Sequence, residues 1–502
     1  MVRRWFERWL PPVIVGTIAF IAARVAMMPG VSFWDTAELQ TVAPVMGTAH
    51  PTGFPTYVLL GWVANLLLSP FGDPAFRMNM FAGLCVAVAA AVTVDLVRAL
   101  TRSTVLGVMA GLGLAFTDIV WKIGTRAEAH ALHLALIAIL FRLLVVWEDR
   151  RRDRVLVGAA VVFGLAAGNH SLTLLLALPV ALYVAAVDRR IVRQPRLILG
   201  CLAAVVLTLA LVYLELPLRA GPFRAPAGAV YGQPETWDGF WYIVLAEQFQ
   251  GSLVGPFSDL PAKAADLLAR TLEAFGPLTL LLPIAFVVSA LRRPTYALLT
   301  GSALAITCFF AASYVNAMID RYYLVPVLIA WTSLAILAEG VARMAGSRVD
   351  DDGRRSLRPV VAVVLAVVLL VPTAFDLGHR YEAVDRSHDD TAARWLDTAL
   401  SAMDRDAVVV SWWSYSTPLW YAQVIEGRRP DISIIDDRTR LDENLGDIYD
   451  VIDRYLPTRP VYVIRVEPSE IAGVAERYET EPLGGFDPSM VERVIRRREA
   501  SQ

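Results

Sequence analysis

Long apolar runs separated by arginine-rich breaks fill the first three quarters of the chain, and they set the expected architecture. A helix needs roughly 20 apolar residues to cross a bilayer. Runs that read as spans occupy 11–28, 75–97, 103–121, 127–147, 155–167, 171–187, 197–216, 271–291, 296–314, 322–341 and 360–375. The fifth and sixth form one apolar stretch broken by Gly168-Asn169-His170, and are divided there because an unbroken helix would overshoot the membrane. The stretch 56–69 is also apolar but short, about 21 Å as a helix against a hydrocarbon core of about 30 Å. It carries Trp62 and Asn65 and lies between Pro55 and Pro70, so it is expected to lie flat at the outer interface.

Arginine placement tests this division, because cytoplasmic loops are enriched in basic residues. The clusters at 150–154, 189–196, 292–293 and 343–358, with Arg98 and Arg102, all become cytoplasmic if eleven spans begin with the N-terminus inside. Were 56–69 to cross, the cluster at 150–154 would fall outside. The run at 11–28 follows Arg3, Arg4 and Arg8 and is not followed by a small-residue cleavage site, so it is expected to stay as the first span.

After residue 375 the pattern changes. Helical spacing at 391–403 and 416–426 alternates with buried-strand patterns at 407–411, 432–435 and 461–464. The fold class expected is therefore a polytopic α-helical membrane protein with a small C-terminal α/β domain outside the cytoplasm. The boundary falls between a transmembrane domain, 1–375, and an extracytoplasmic domain, 376–502. No GxGxxG follows the first strand, so that domain is not read as nucleotide-binding.

Composition agrees. With 56% hydrophobic residues and a mean hydropathy of +0.50, lipid is the expected solvent for much of the chain. A net charge of -2 gives no reason to expect nucleic acid. Cys85, Cys201 and Cys308 are far apart within apolar runs, which argues against a disulfide framework or a zinc site.

The topology sorts the polar residues onto one membrane face. The first outer loop holds Trp34-Asp35-Thr36-Ala37-Glu38 and then His50-Pro51-Thr52-Gly53-Phe54-Pro55. Arg77 and Asn79 open the second span. Lys122, Arg126, Glu128 and His130 enter the fourth, Asn169 and His170 fill the break, and Asp320, Arg321 and Tyr322 open the tenth. Ionisable groups at membrane depth are costly and usually face a cavity. Carboxylates with histidine suit general-base work on a hydroxyl, and arginines suit a phosphate.

Each piece alone has a blander account. Asp35 would serve as a helix cap, His50 as a turn residue, and Glu128 as a surface partner of Arg126 or Lys122. His170 would serve as a packed core histidine and Arg321 as an interfacial anchor. His133 reads as packing. A lipid or solute transporter is the main rival function, and would call for polar residues near the midplane and two related halves, of which only the Gly168 break is a sign. A non-catalytic scaffold would not need carboxylates and histidines gathered at one depth.

Trp34-Asp35-x-x-Glu38 followed by His50-Pro51-x-Gly53-x-Pro55 resembles the GT-C superfamily of membrane glycosyltransferases, closest to a domain family related to protein O-mannosyltransferases. Trp121…Arg126-Ala127-Glu128-Ala129-His130, Gly168-Asn169-His170 and Asp320-Arg321-Tyr322-Tyr323 are similar to its later motifs. Arg429-Pro430-Asp431 extends the likeness more loosely. The resemblance implies an inverting enzyme of the plasma membrane. It would move a sugar, mannose among relatives, from a polyprenyl-phosphate donor to a hydroxyl on a protein or glycan. It implies Asp35 as the base, with Glu128 as second acid and His50 beside them. Glu38, Arg77, Arg126, His130, Asn169, His170 and Arg321 would bind donor or acceptor. His130 stands where many relatives carry tyrosine. The resemblance assigns no metal ligand and leaves a divalent metal open as cofactor.

Overall fold

A computed structural model describes residues 2–350, 357–487 and 489–498. Arg354 and Arg355 of the fourth basic cluster, and the last residues of the C-terminal domain, lie outside the described residues. By packing, the chain divides into two compact units, neither of them one continuous stretch.

The helical unit comprises Met1–Met27, Asn79–Leu214 and Glu247–Arg386. Among the described residues of the whole chain, eight helices are long and apolar enough to cross a membrane: Arg8–Val25, Pro74–Thr101, Ala129–Arg150, Pro195–Ala220, Leu260–Arg292, Pro294–Ala311, Ile319–Ala345 and Arg358–Phe375. These match eight of the eleven expected spans, and the protein is an integral membrane protein. The fifth and sixth appear as the shorter helices Asp153–Asn169 and Ser171–Val187, the latter opening as a 3-10 turn. The expected break is where the sequence put it, with His170 extended between the two. The third expected span is corrected. It is not one helix but Thr104–Ala115 followed by Asp118–Ile123. Thr117 at the break donates its hydroxyl to Gly113 O at 2.8 Å and accepts the Trp331 indole N–H at 2.9 Å. That distant partner interrupts a run whose hydropathy alone would continue.

Small residues let these helices close together, as membrane helices need in place of a hydrophobic drive between them. A Cβ on Gly107 would lie 2.6 Å from Val94 O, and one on Gly113 2.5 Å from the Trp331 ring. Residues 376–386 pack here rather than with the sheet. Arg380 is buried and donates to Phe116 O at 2.8 Å and to Ala274 O at 3.1 Å.

The second unit comprises Met28–Met78, Glu215–Ala246 and Ser387–Gln502. Its sheet has strands β1 Val408–Ser411, β2 Ser433–Asp436, β3 Val461–Arg465, β4 Tyr478–Leu483 and β5 Met490–Arg497, in the order β2-β1-β3-β5-β4. β1 is parallel to β2 and β3, with Val409 beside both Ile434 and Tyr462. β5 adds antiparallel to β3, and β4 to β5, so the sheet is mixed and has two strands beyond the three that the sequence pattern predicts. Alternation divides the core. Val409, Tyr462 and Ile464 pack on one face with Trp395, Leu419 and Tyr421. Val408, Val410 and Val463 pack on the other with Val451, Ile452 and Val474.

Val31, Ala37 and Ala75 of the segment Met28–Met78 share the first of these cores. Tyr421 accepts the Ala75 N–H at 3.2 Å. Helix Pro55–Leu67 covers 13 residues, too few to span, and divides its faces. Tyr57, Val58, Gly61 and Asn65 are buried, while Val63, Leu66 and Leu67 are exposed, which leaves an apolar face.

Candidate functional site

Two groups of polar residues emerge, one in each unit. In the sheet-bearing unit, helix Trp34–Val45 starts after Phe33 with no side-chain cap. Asp35 stands in the first turn and does not fill the capping position. Its Oδ1 instead accepts the Nε1–H of Trp413 at 3.0 Å, across 378 residues of sequence. Trp34, just before it, is 55% exposed and has a φ of 59°, a left-handed conformation that costs a bulky residue of order 1–3 kcal/mol.

One turn on, Glu38 is buried. Its Oε1 accepts the His50 backbone N–H at 2.7 Å, and its Oε2 is in close contact with His50 Nδ1. This makes Nδ1 the donor and fixes the ring tautomer. The segment bearing His50 is pinned from both sides. Thr48 donates to Ala229 O at 2.8 Å and accepts from Tyr231 N at 3.0 Å, while Gly53 donates to His50 O at 2.7 Å. Arg219 satisfies the end of helix Trp34–Val45, donating to Met46 O at 2.7 Å and Val45 O at 2.8 Å. Around Trp413 stand Tyr231, Trp420 and His50, with ring centroids 6.0, 5.7 and 6.1 Å away. The Arg438 guanidinium lies 4.4 Å from the Tyr231 ring and 4.8 Å from Trp420. Burial pushes the Tyr231 phenol well up, so it stays neutral. Arg77 donates to Gly72 O at 2.9 Å and Asn65 Oδ1 at 3.4 Å, closing the turn after helix Pro55–Leu67.

In the helical unit, Glu128 is buried and caps helix Ala129–Arg150. Its Oε1 accepts from His130 Nδ1 at 2.8 Å, and its Oε2 accepts from Arg321 Nη1 at 2.8 Å. The surface pairing with Arg126 or Lys122 is thus replaced by a long-range pair with Arg321. Arg126 itself is half-buried two residues earlier. The His130 ring lies 4.5 Å from His170 and 5.7 Å from Tyr322, and His170 lies 5.9 Å from both Tyr322 and His133. Asn169 donates to Ala129 O at 3.0 Å, tying the helix break to the start of the fourth span, and Asn79 Oδ1 accepts from Ala127 N at 2.8 Å. Arg321 comes from the 3-10 turn Ile319–Tyr323. With His133 and Tyr322 it borders a small cavity whose walls are Leu172, Leu176, Leu324 and Val325.

Among the described residues, no three His, Cys, Asp or Glu side chains are placed to hold a metal ion. Glu38 is paired with His50, and Glu128 with Arg321 and His130. Sequence reasoning missed Trp413 and Tyr231 altogether and set His133 aside as packing. A pair of tryptophans directly after a buried parallel strand was the one available signal for the first of these.

Residues 35–193 match the family model described as the Protein O-mannosyl-transferase TMEM260 N-terminal domain. The chain is 24% identical over 473 residues to the mouse Protein O-mannosyl-transferase TMEM260, covering 85% of this chain and 63% of that one. It is 20% identical over 454 residues to the Dictyostelium discoideum protein of the same name, covering 81% and 54%. The chain thus spans little more than half the length of these relatives. Among solved structures, it is similar to ArnT from Cupriavidus metallidurans bound to undecaprenyl phosphate. The TM-score is 0.61 and the identity 13%, over 96% of this chain and 97% of that one. It is also similar to the Archaeoglobus fulgidus oligosaccharyltransferase tethered with an acceptor peptide, with TM-score 0.55 and 14% identity, over 92% and 70%.

Proposed function

From a chain with the fold of the GT-C membrane glycosyltransferases, we propose an inverting glycosyltransferase. It moves a sugar, mannose in our reading, from a polyprenyl-phosphate donor to an acceptor hydroxyl on a protein, at the outer face of the plasma membrane. The names of the relatives and the lipid bound by ArnT support that choice of donor and sugar. The observation that carries the reading is the Asp35 carboxylate. It begins a helix without capping it, and a neutral donor holds it in place.

In this reading Asp35 takes the proton of the acceptor hydroxyl as its oxygen attacks the anomeric carbon. The carbon–oxygen bond to phosphate breaks in the same displacement, which inverts the centre. The leaving polyprenyl phosphate is dianionic at its head, and Arg321, with Arg126, stabilises that charge. Glu128 holds Arg321 through Nη1, and Arg321 Nε donates to Met318 O at 3.3 Å, so the guanidinium is fixed in direction beside the proposed phosphate position. His130, Asn169 and His170 complete the donor group, and His50, fixed by Glu38, completes the acceptor group. Transmembrane residues 1–375 carry the chemistry in this division, and 376–502 form the outer domain.

The test is Asp35→Asn, which preserves shape but does not accept a proton at neutral pH. With purified protein in nanodiscs and polyprenyl-phosphate mannose, turnover falls by about 10²–10⁴-fold, the usual share of a general base, while donor binding stays. An Asp35→Asn protein with near-normal turnover removes the proposed role.

A further inference from the structure

We propose that Trp413 is the positioning residue of the Asp35 carboxylate, so that the C-terminal α/β segment completes the reactive group rather than merely shielding it. This rests on reading Asp35 as the acceptor base. It revises the division in which residues 1–375 alone carry the chemistry.

The geometry points there directly. The indole Nε1–H reaches Asp35 Oδ1 at 3.0 Å, and both residues belong to the same compact unit. Rotation of an Asp carboxyl about its last torsion is broad and poorly defined. A hydrogen bond to one oxygen fixes that rotation, and so sets the direction in which the group receives a proton. An indole suits the task better than most donors, because it donates only and does not titrate in the working range. It steadies the carboxylate without competing for the proton being moved.

Trp413 is itself well anchored. It is the first residue of helix Trp413–Val424, just after interior strand β1, which lies between β2 and β3, so its backbone is set by the sheet. Its ring meets Tyr231, Trp420 and His50 edge-on, at interplanar angles of 71°, 71° and 85°. A side chain locked by packing on a rigid element gives a reactive group the precision it needs. The same indole touches His50, whose other partner is Glu38, so one ring links the two acid-bearing positions of helix Trp34–Val45.

A purely structural indole would make the same edge contacts, and phenylalanine would replace it at little functional cost. The experiment therefore removes the N–H. Full-length protein in nanodiscs is assayed with short-chain polyprenyl-phosphate mannose and a serine/threonine-rich synthetic peptide. Trp413→Phe lowers kcat about tenfold, the scale of one hydrogen bond to a charged group, and leaves both KM values within about twofold. The thermal midpoint stays at the wild-type value, whereas a packing defect would lower kcat and the midpoint together. In an Asp35→Asn background the same change has no further effect on the residual rate. If Asp35→Asn stays active, the base reading fails whatever Trp413 does. If Asp35→Asn is inactive while Trp413→Phe keeps wild-type kcat, positioning alone is overturned. A raised KM with normal kcat also overturns it, in favour of an acceptor-binding wall. Should the Phe variant not fold, benzothienylalanine at 413 keeps the indole shape with sulfur in place of N–H and is read by the same outcomes.

Discussion

Arg321 and Glu128 hold each other at 2.8 Å across 193 residues of sequence, with side-chain exposures of 13% and 4%. A pair this enclosed differs from a surface salt bridge. Removing one partner strands the other charge, at a typical cost of about 3–5 kcal/mol, whereas removing both can be nearly neutral. Arg321→Met should therefore lower the thermal midpoint in detergent sharply. The double variant Arg321→Met with Glu128→Gln should recover much of that loss. Donor binding should stay lost in both, because the phosphate contact is gone. A double variant no more stable than Arg321→Met would show that the pair is not what makes Arg321 matter to the fold.

Arg429-Pro430-Asp431 turns out to be a clasp. Arg429 donates to Leu400 O, Met403 O and Asp404 O at 2.5, 3.0 and 2.6 Å, and forks onto Asp431 at 3.0 and 2.9 Å. The Arg429 guanidinium, with the Asp406 N–H, holds the Asp431 carboxyl well below the usual carboxylate range. Its folded pKa lies below the unfolded value of about 3.9, so the stability it adds is present above that pH and lost as pH falls through the folded value. Asp431→Asn should lower the thermal midpoint at pH 7, and the gap to wild type should close below about pH 4. A gap that persists at the lowest pH would mean that the asparagine disturbs packing rather than charge.

How far such features were legible depended on whether their causes were local. β1, β2 and β3 were readable because buried parallel strands are unbroken apolar runs. β4 and β5 were not, because Glu479, Glu481, Glu492 and Arg493 mask the alternation that buries Val491 and Val494. The break at His170 showed itself through Gly168 and Asn169. The break at Thr117 did not, since its partner is Trp331, 214 residues away. The same held among the polar residues. The three-residue spacing of Asp35 and Glu38 was visible, but Trp413 on Asp35 and Arg321 on Glu128 are contacts that only the folded chain brings about.

Gly47 offers a test of how tightly the His50 segment is held. A Cβ there would lie 2.1 Å from the Ala229 carbonyl oxygen, a backbone atom that does not swing aside. Thr48 is paired with that same carbonyl. Gly47→Ala should destabilise by about 1–3 kcal/mol, as overpacking does, and reduce turnover more than its distance from Asp35 suggests, because His50 moves with the strap. A Gly47→Ala protein with unchanged midpoint and turnover would show the strap to be compliant.

The proposed orientation across the membrane rests on where the arginines meet. Arg151 Nη1 donates to Val187 O at 2.7 Å, which brings the clusters at 150–154 and 189–196 to one end of the helical unit. Thr295 donates to Glu148 Oε1 at 2.6 Å, and Arg293 is bonded to Leu100 O, which adds the cluster at 292–293 and the Arg98–Arg102 turn. Arg98 donates to Arg8 O at 2.6 Å, placing the N-terminal basic segment at the same end. Because cytoplasmic loops are enriched in basic residues, we propose that this end faces the cytoplasm. In a background with Cys85, Cys201 and Cys308 replaced by alanine, a membrane-impermeant thiol reagent should leave Arg152→Cys unmodified in intact cells and label it after permeabilisation. Ser387→Cys should be labelled in intact cells. Labelling of Arg152→Cys from outside, with Ser387→Cys protected, would invert the protein and place the Asp35 group in the cytoplasm.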